Sequence, residues 1–304
     1  MAEVPSLSKR SVDALHRDGV SGFLRQGLVY LLRRIAWRTD EWSKNLDVSI
    51  LGSRLHREFD PLFKRNEIFR DRHKGKRCFV IGNGPSLKDQ DLSPLVDEVT
   101  LVTNSFHAHP IVGDSWQPTY YFLSDPIYFD GSVDCTAEFA SINSRIKSAP
   151  IFVPSYANKF LSQSNALPSQ RTYYVGMGAV RLEHSNEVPD LTSVTPGVQT
   201  VVQLAIMAAM FMGCSPIYLI GLDHDWLAQR DEDSHFYNER EADGEAPVRP
   251  WTYQSLMGAI TTMWEVYVVL KRIADSAGIE IINCTRGGFL DVFKRARYED
   301  IIRP

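Results

Sequence analysis

The chain has little that would mark it for the cell exterior, a membrane or nucleic acid. Its four cysteines, Cys78, Cys135, Cys214 and Cys284, lie far apart with no C-x-x-C pair. That argues against a disulfide scaffold and against a zinc site built on thiolates, leaving buried free thiols as the plain reading. No stretch reaches the roughly 18–20 apolar residues that span a bilayer. The opening residues, MAEVPSLSKRSVDALHRDG, lack the apolar centre of a secretory signal, so the expectation is a cytoplasmic protein. A net charge of -4 supplies no overall basic surface for duplex binding, and nucleic acid is not an expected partner. Internal repeats and low-complexity tracts are absent as well.

What is present is ordinary for a soluble globular chain: 304 residues, 44% hydrophobic and 23% charged, enough to bury a core without staples. In residues 21–42, Phe23, Leu24, Leu28, Leu31, Leu32 and Ile35 recur near helical spacing, with Arg25, Arg33, Arg34 and Arg38 between them. Such a basic amphipathic helix suits peripheral membrane contact or a homo-oligomer interface, although core packing is its commoner use. The charged run 65–76 reads as a solvated linker. Beyond it, short apolar runs at 78–81, 99–103, 119–123, 151–153, 172–175, 217–220 and 279–283 read as strands. Long apolar or amphipathic stretches at 197–212 and 253–277 read as helices. The alternation predicts an α/β fold with a largely parallel sheet and helices on both faces.

In such a sheet, ligands sit beyond the carboxyl ends of the strands. After the first strand comes Gly82-Asn83-Gly84-Pro85-Ser86, where exposed amides would cradle an anion, with Asn83 and Ser86 as side-chain donors. After the second stands Asn104, which would bond a ribose or phosphate. Asp125 after the third would take a ribose hydroxyl or a metal. Thr195 is placed as an N-cap, with Pro196 and Gly197 opening the long apolar helix, whose N-terminus favours phosphate. The richest cluster is Gly221-Leu222-Asp223-His224-Asp225-Trp226, with His235 following; it suits acid–base chemistry or a Mg²⁺ bridge to phosphate through Asp223 and Asp225. His109 and His184 lack such company and read as structural. Thr285-Arg286-Gly287-Gly288 is a second candidate anion turn.

Three stretches in order, IGNGPSL (81–87), TPGVQTVVQLAIMAAMFMGCSPIYLIGLDHDW (195–226) and IEIINCTRGGFLDVFKRARYEDI (279–301), resemble the MptE-like domain family. That family is named after archaeal 6-hydroxymethylpterin diphosphokinases and includes bacterial proteins of surface-polysaccharide contexts. The first two stretches are also similar to bacterial sialyltransferases that use CMP-sialic acid and to motility accessory factors that modify flagellin. The likeness spans about residues 77–301. It divides the chain into a helical extension at 1–75 and a nucleotide-binding α/β domain at 76–304, a Rossmann-like variant of the glycosyltransferase A fold.

By that resemblance Gly82, Asn83, Gly84 and Asn104 contact CMP, Thr195-Pro196-Gly197 lies near the nucleotide, and Gly221 and Asp223 form the strand end beside it. The catalytic histidine of those transferases has no counterpart in residues 249–258; His235 is the substitute in the same loop. Tyr237 and Tyr253 are the candidates for their phosphate-holding tyrosines. Three functions follow. The first is a glycosyltransferase with a CMP-sugar donor, a glycan or glycolipid acceptor and no obligatory metal. The second is a Mg²⁺-dependent pyrophosphokinase that passes diphosphate from ATP to a pterin-like alcohol. The third is a non-catalytic nucleotide-binding protein.

Overall fold

The computed structural model describes residues 58–180, 186–225, 228 and 252–303. The amphipathic stretch 21–42, His184, His235 and Tyr237 lie outside the described residues.

Among the described residues nine strands form one sheet: β1 (Cys78–Ile81), β2 (Val99–Thr103), β3 (Tyr120–Phe122), β4 (Ile151–Pro154), β5 (Thr172–Val180), β6 (Val194–Pro196), β7 (Ile217–Ile220), β8 (Ile281–Asn283) and β9 (Lys294–Arg295). Their order is β6-β5-β4-β3-β2-β1-β7-β8-β9, and every pairing is parallel. The inner strands are unbroken apolar runs because both faces are covered. In β1, Cys78 and Val80 enter one core while Phe79 and Ile81 enter the other, as a period of two requires.

The first face is covered by α3 (Val201–Phe211), buried along its whole length, and by α4 (Tyr253–Ser276), whose buried stripe is Met263, Tyr267, Leu270, Ile273 and Ala274. On the second face Phe139, Ile142 and Leu161, from α1 (Thr136–Arg145) and α2 (Asn158–Ser164), pack with Tyr298 from the short α5 (Tyr298–Ile301). Among the described residues, no helix is long and apolar enough to cross a membrane, and all four cysteines are free thiols.

Two expectations need correction. The run 65–76 is not a solvated linker. Phe63 and Phe69 are fully buried, and Asn66 donates from Nδ2 to the carbonyls of Tyr174 and Leu191 at 2.8 and 2.7 Å. The charged side chains line the outside of this segment; Arg70 pairs with Glu67 and Asp190 and lies over the Phe211 ring. Thr195 does not cap a helix either. It belongs to β6, and α3 starts at Val201 after Thr200. A further short strand, β9, pairs beyond β8.

Strands β1 to β6 build outward in one direction; the chain then returns through α3 to place β7 on the other side of β1. The strand order therefore reverses between β1 and β7, and a crevice opens beyond their carboxyl ends.

Candidate functional site

The crevice at this switch point is a cleft of about 560 Å³. Its floor is the junction of two strand ends. Ile81 and Ile220 are register partners, and the ladder continues past them, with Gly82 N–H donating to Ile220 O and Gly84 N–H to Gly221 O, both at 2.9 Å. Only a residue without a side chain tolerates this approach. A Cβ on Gly84 would lie 1.7 Å from Asp223 Oδ2 and 2.7 Å from Gly221 O, and one on Gly82 2.5 Å from Gly221 O. Gly221 itself sits at φ +69, with Leu87 filling the space beneath.

This closeness engages most donors of the Gly82–Ser86 turn within the protein. Besides the two glycine amides, Ser86 N–H and Oγ–H both donate to the Asp223 carboxylate, at 3.3 and 2.9 Å. Leu87 N–H closes on Gly84 O at 3.1 Å, and Pro85 has no donor. The Asp223 carboxylate thus occupies the anion position of the turn, and Asn83 holds its remaining amide. Gly82 and Ser86 shape the floor and do not line the cleft; Asn83, Gly84, Gly221 and Asp223 do. The 285–288 turn packs against the Asp223 backbone. Thr285 Oγ accepts from Leu222 N–H at 3.0 Å, Phe289 N–H donates to Asp223 O at 2.8 Å, and the Arg295 guanidinium caps the carbonyls of Thr285 and Gly287. The turn braces Asp223 from behind.

Further free amides stand at the start of α3. Gln203 Oε1 accepts from Gln199 and Thr200 N–H at 2.9 and 3.3 Å, while its Nε2 donates to Met263 O of α4 at 2.9 Å. That buried amide fixes the helix entry and leaves the Val201 and Val202 N–H groups as first-turn donors without intrahelical partners. Both residues line the cleft, with Gly197, Val198, Gln199 and Thr200 beside them. Thr195 does not: it is buried, with Oγ donating to Gly176 O at 2.9 Å.

The opposite wall carries acceptors. Asn83 donates from Nδ2 to Thr103 O at 2.9 Å, which fixes its amide orientation and leaves Oδ1 buried without a partner. Asn104, at φ +41, also has a buried, unpartnered Oδ1. Asp125 lines the cleft while its Oδ1 accepts from Ile127 N–H at 3.1 Å. Sequence reasoning missed Tyr156, which lines the cleft and donates to Ser124 O; burial, then the charges of Asp125 and Asp130, raises its pKa. It follows β4, so inspecting the residues after that strand would have found it. Tyr253, by contrast, is half exposed and outside the cleft lining.

Burial dominates the electrostatics. It raises the Asp223 pKa to about 6, opposed by the Ser86 hydroxyl and assisted by Asp225. His224, at φ +50, lines the cleft with its Nε2 2.8 Å from Tyr267 Oη and Trp264 beside it; burial lowers its pKa to about 4, so the ring is neutral near pH 7. Both Asp223 oxygens accept from Ser86, Asp225 is absent from the cleft lining, and no group of three His, Cys, Asp or Glu side chains able to hold a metal occurs among the described residues. Among the described lining residues there is also no lysine or arginine.

No family model matches the chain, and no curated protein matches it. Solved structures with a similar trace include the sialyltransferase CstII from Campylobacter jejuni in complex with cytidine-5'-monophosphate, at 16% identity over 73% of this chain and 85% of that one, with a TM-score of 0.44. Another is the monofunctional α-2,3-sialyltransferase Cst-I from Campylobacter jejuni, at 16% identity over 69% of this chain and 75% of that one, with a TM-score of 0.41.

Proposed function

We propose that the chain is a glycosyltransferase whose donor is a nucleotide-activated, CMP-linked sugar and whose acceptor is a glycan or glycolipid. The observation that carries this reading is the charge of the cleft. Its described lining offers Asp125 and Asp223, the amide oxygens of Asn83 and Asn104, and no cationic side chain. A nucleoside triphosphate brings several negative charges and is normally met by lysine, arginine or a metal. A CMP-sugar has one phosphodiester, which the first-turn amides of a helix can hold alone. The unpartnered amide oxygens suit the donors of a nucleoside, its hydroxyls and exocyclic amine. The two sequence stretches that resemble CMP-sialic-acid transferases, 81–87 and 195–226, both border this cleft.

In this reading the sugar–phosphate bond breaks through a transition state of oxocarbenium character. The charge that develops on the departing phosphate falls on the Val201 and Val202 amides, which are already oriented. A base takes the proton of the acceptor hydroxyl. His224 is poorly suited, being a weak base already engaged with Tyr267. We assign the base to His235 and give Asp223 the task of holding the Gly82–Ser86 turn. Changing His235 to Ala should lower kcat at least a hundredfold with CMP affinity unchanged; full turnover would remove it from the mechanism.

Thermal-shift measurements with CMP, UDP and ATP, each with and without Mg²⁺, test the donor class. CMP should raise Tm without metal, and ATP should not. A shift seen only with ATP and Mg²⁺ would restore the pyrophosphokinase reading, and silence toward all three would contradict nucleotide binding altogether.

A further inference from the structure

We propose that Tyr121 is a positioning residue of the nucleoside subsite: its buried phenol fixes the backbone of Asn104, a residue that lines the cleft. The inference rests on the nucleotide-donor reading above. Tyr121 is the middle residue of β3 and is fully buried. Its hydroxyl donates to the backbone carbonyl of Asn104, the first residue beyond β2. Asn104 adopts φ +41, in the left-handed region that few residues other than glycine and asparagine enter readily.

The phenol is itself oriented. His107 Nδ1 lies 3.0 Å from the same oxygen. Because the single phenolic proton goes to the Asn104 carbonyl, Nδ1 must carry its own proton and donate it. Glu138 Oε1, 3.5 Å from Nε2, accepts from Ser105 Oγ at 3.2 Å. Hydrogen bonds therefore lead from His107 through Tyr121 to Asn104, and of these residues only Asn104 lines the cleft.

At the end of this run is an orphan. Asn104 Oδ1 is buried with no protein partner, a state that costs free energy until a donor arrives. Asn83 Oδ1 is in the same state, and its Nδ2 is held at 2.9 Å by the carbonyl of Thr103, the residue preceding Asn104. Thr103 Oγ in turn donates to Ile81 O at 3.2 Å. Both acceptors are thus mounted on the end of β2, one through each neighbouring strand. Packing alone would be served equally well by phenylalanine at 121; the hydroxyl serves the geometry of Asn104.

The test is a double-mutant cycle read by calorimetric titration of CMP into wild type, Tyr121→Phe, Asn104→Ala and the double variant. Each single change should weaken CMP about tenfold, and the double variant should be no weaker than either, since both remove the same contact. CMP affinity unchanged in Tyr121→Phe, or losses that multiply in the double variant, would overturn the assignment. A wild type that binds no nucleotide fails at the earlier step and overturns the donor reading together with this one. If Tyr121→Phe does not fold, His107→Gln replaces it: a several-fold loss of CMP affinity is expected, and an unchanged value contradicts the positioning role.

Discussion

Gly84→Ala should be the most damaging single substitution at the cleft, lowering stability by about 3 kcal/mol and abolishing CMP binding. The added methyl would meet Asp223 Oδ2 at 1.7 Å and Gly221 O at 2.7 Å. Neither can withdraw. The carboxylate is held by Ser86, and the Gly221 carbonyl accepts the Gly84 amide itself. Relief requires the end of β1 to separate from the end of β7, which opens the floor of the site. Gly258→Ala is the control. That glycine lies within α4, and a Cβ there meets nothing within 4 Å, so the change should stabilise by about 0.5–1 kcal/mol. Urea denaturation measures both. A Gly84→Ala chain as stable as wild type would contradict the close seating of the turn on Asp223.

The second large effect is with pH. Burial holds both His107 and His224 at a pKa of about 4, below the ordinary 6.5. For a depressed folded-state pKa, the contribution is present above the unfolded value and is lost as pH falls through the folded one. Each histidine should therefore withdraw about 3 kcal/mol between pH 6.5 and 4, and His73 and His109, also lowered by burial, act in the same direction. Asp223 opposes them. Its pKa is raised from 3.8 to about 6, so its contribution is present below the unfolded value and lost as pH rises through 6, and acidification returns about 3 kcal/mol. The histidines outnumber it, and the net expectation is a loss of about 3–4 kcal/mol between pH 7 and pH 4. Denaturation at the two pH values measures the loss, and His224→Gln should reduce it. Equal stability at pH 7 and pH 4 would mean that the imidazoles are not held neutral by the fold.

Much of this fold is legible from residues. The runs at 78–81, 99–103 and 217–220 are apolar without alternation because helices cover both faces of the sheet, and α4 shows its buried stripe at helical spacing. What escaped has local reasons. Strands β6 and β9 are three and two residues long, too short for any periodicity. In α1 only Phe139 and Ile142 are buried, so an apolar stripe barely exists. The run 65–76 looked like linker because its charges outnumber the two side chains, Asn66 and Phe69, that anchor it.

At the site the sequence carried half of the argument. Glycines at 82 and 84 announced a close approach, and Asp223 announced a polar strand end. That these are one feature depends on a contact across 137 residues, which no local pattern encodes. The same contact is why the proposed phosphate subsite is the start of α3, where Gln203, an unremarked polar residue in an apolar helix, organises the entry.

The central claim is that a nucleoside monophosphate occupies the crevice between the ends of β1 and β7. A crystal structure grown with CMP tests it most directly. The account predicts the nucleoside against the Asn83 and Asn104 amide oxygens and the phosphate at the Val201 and Val202 amides. CMP bound away from this crevice, or its phosphate seated on the Gly82–Ser86 turn in place of the Asp223 carboxylate, would contradict it.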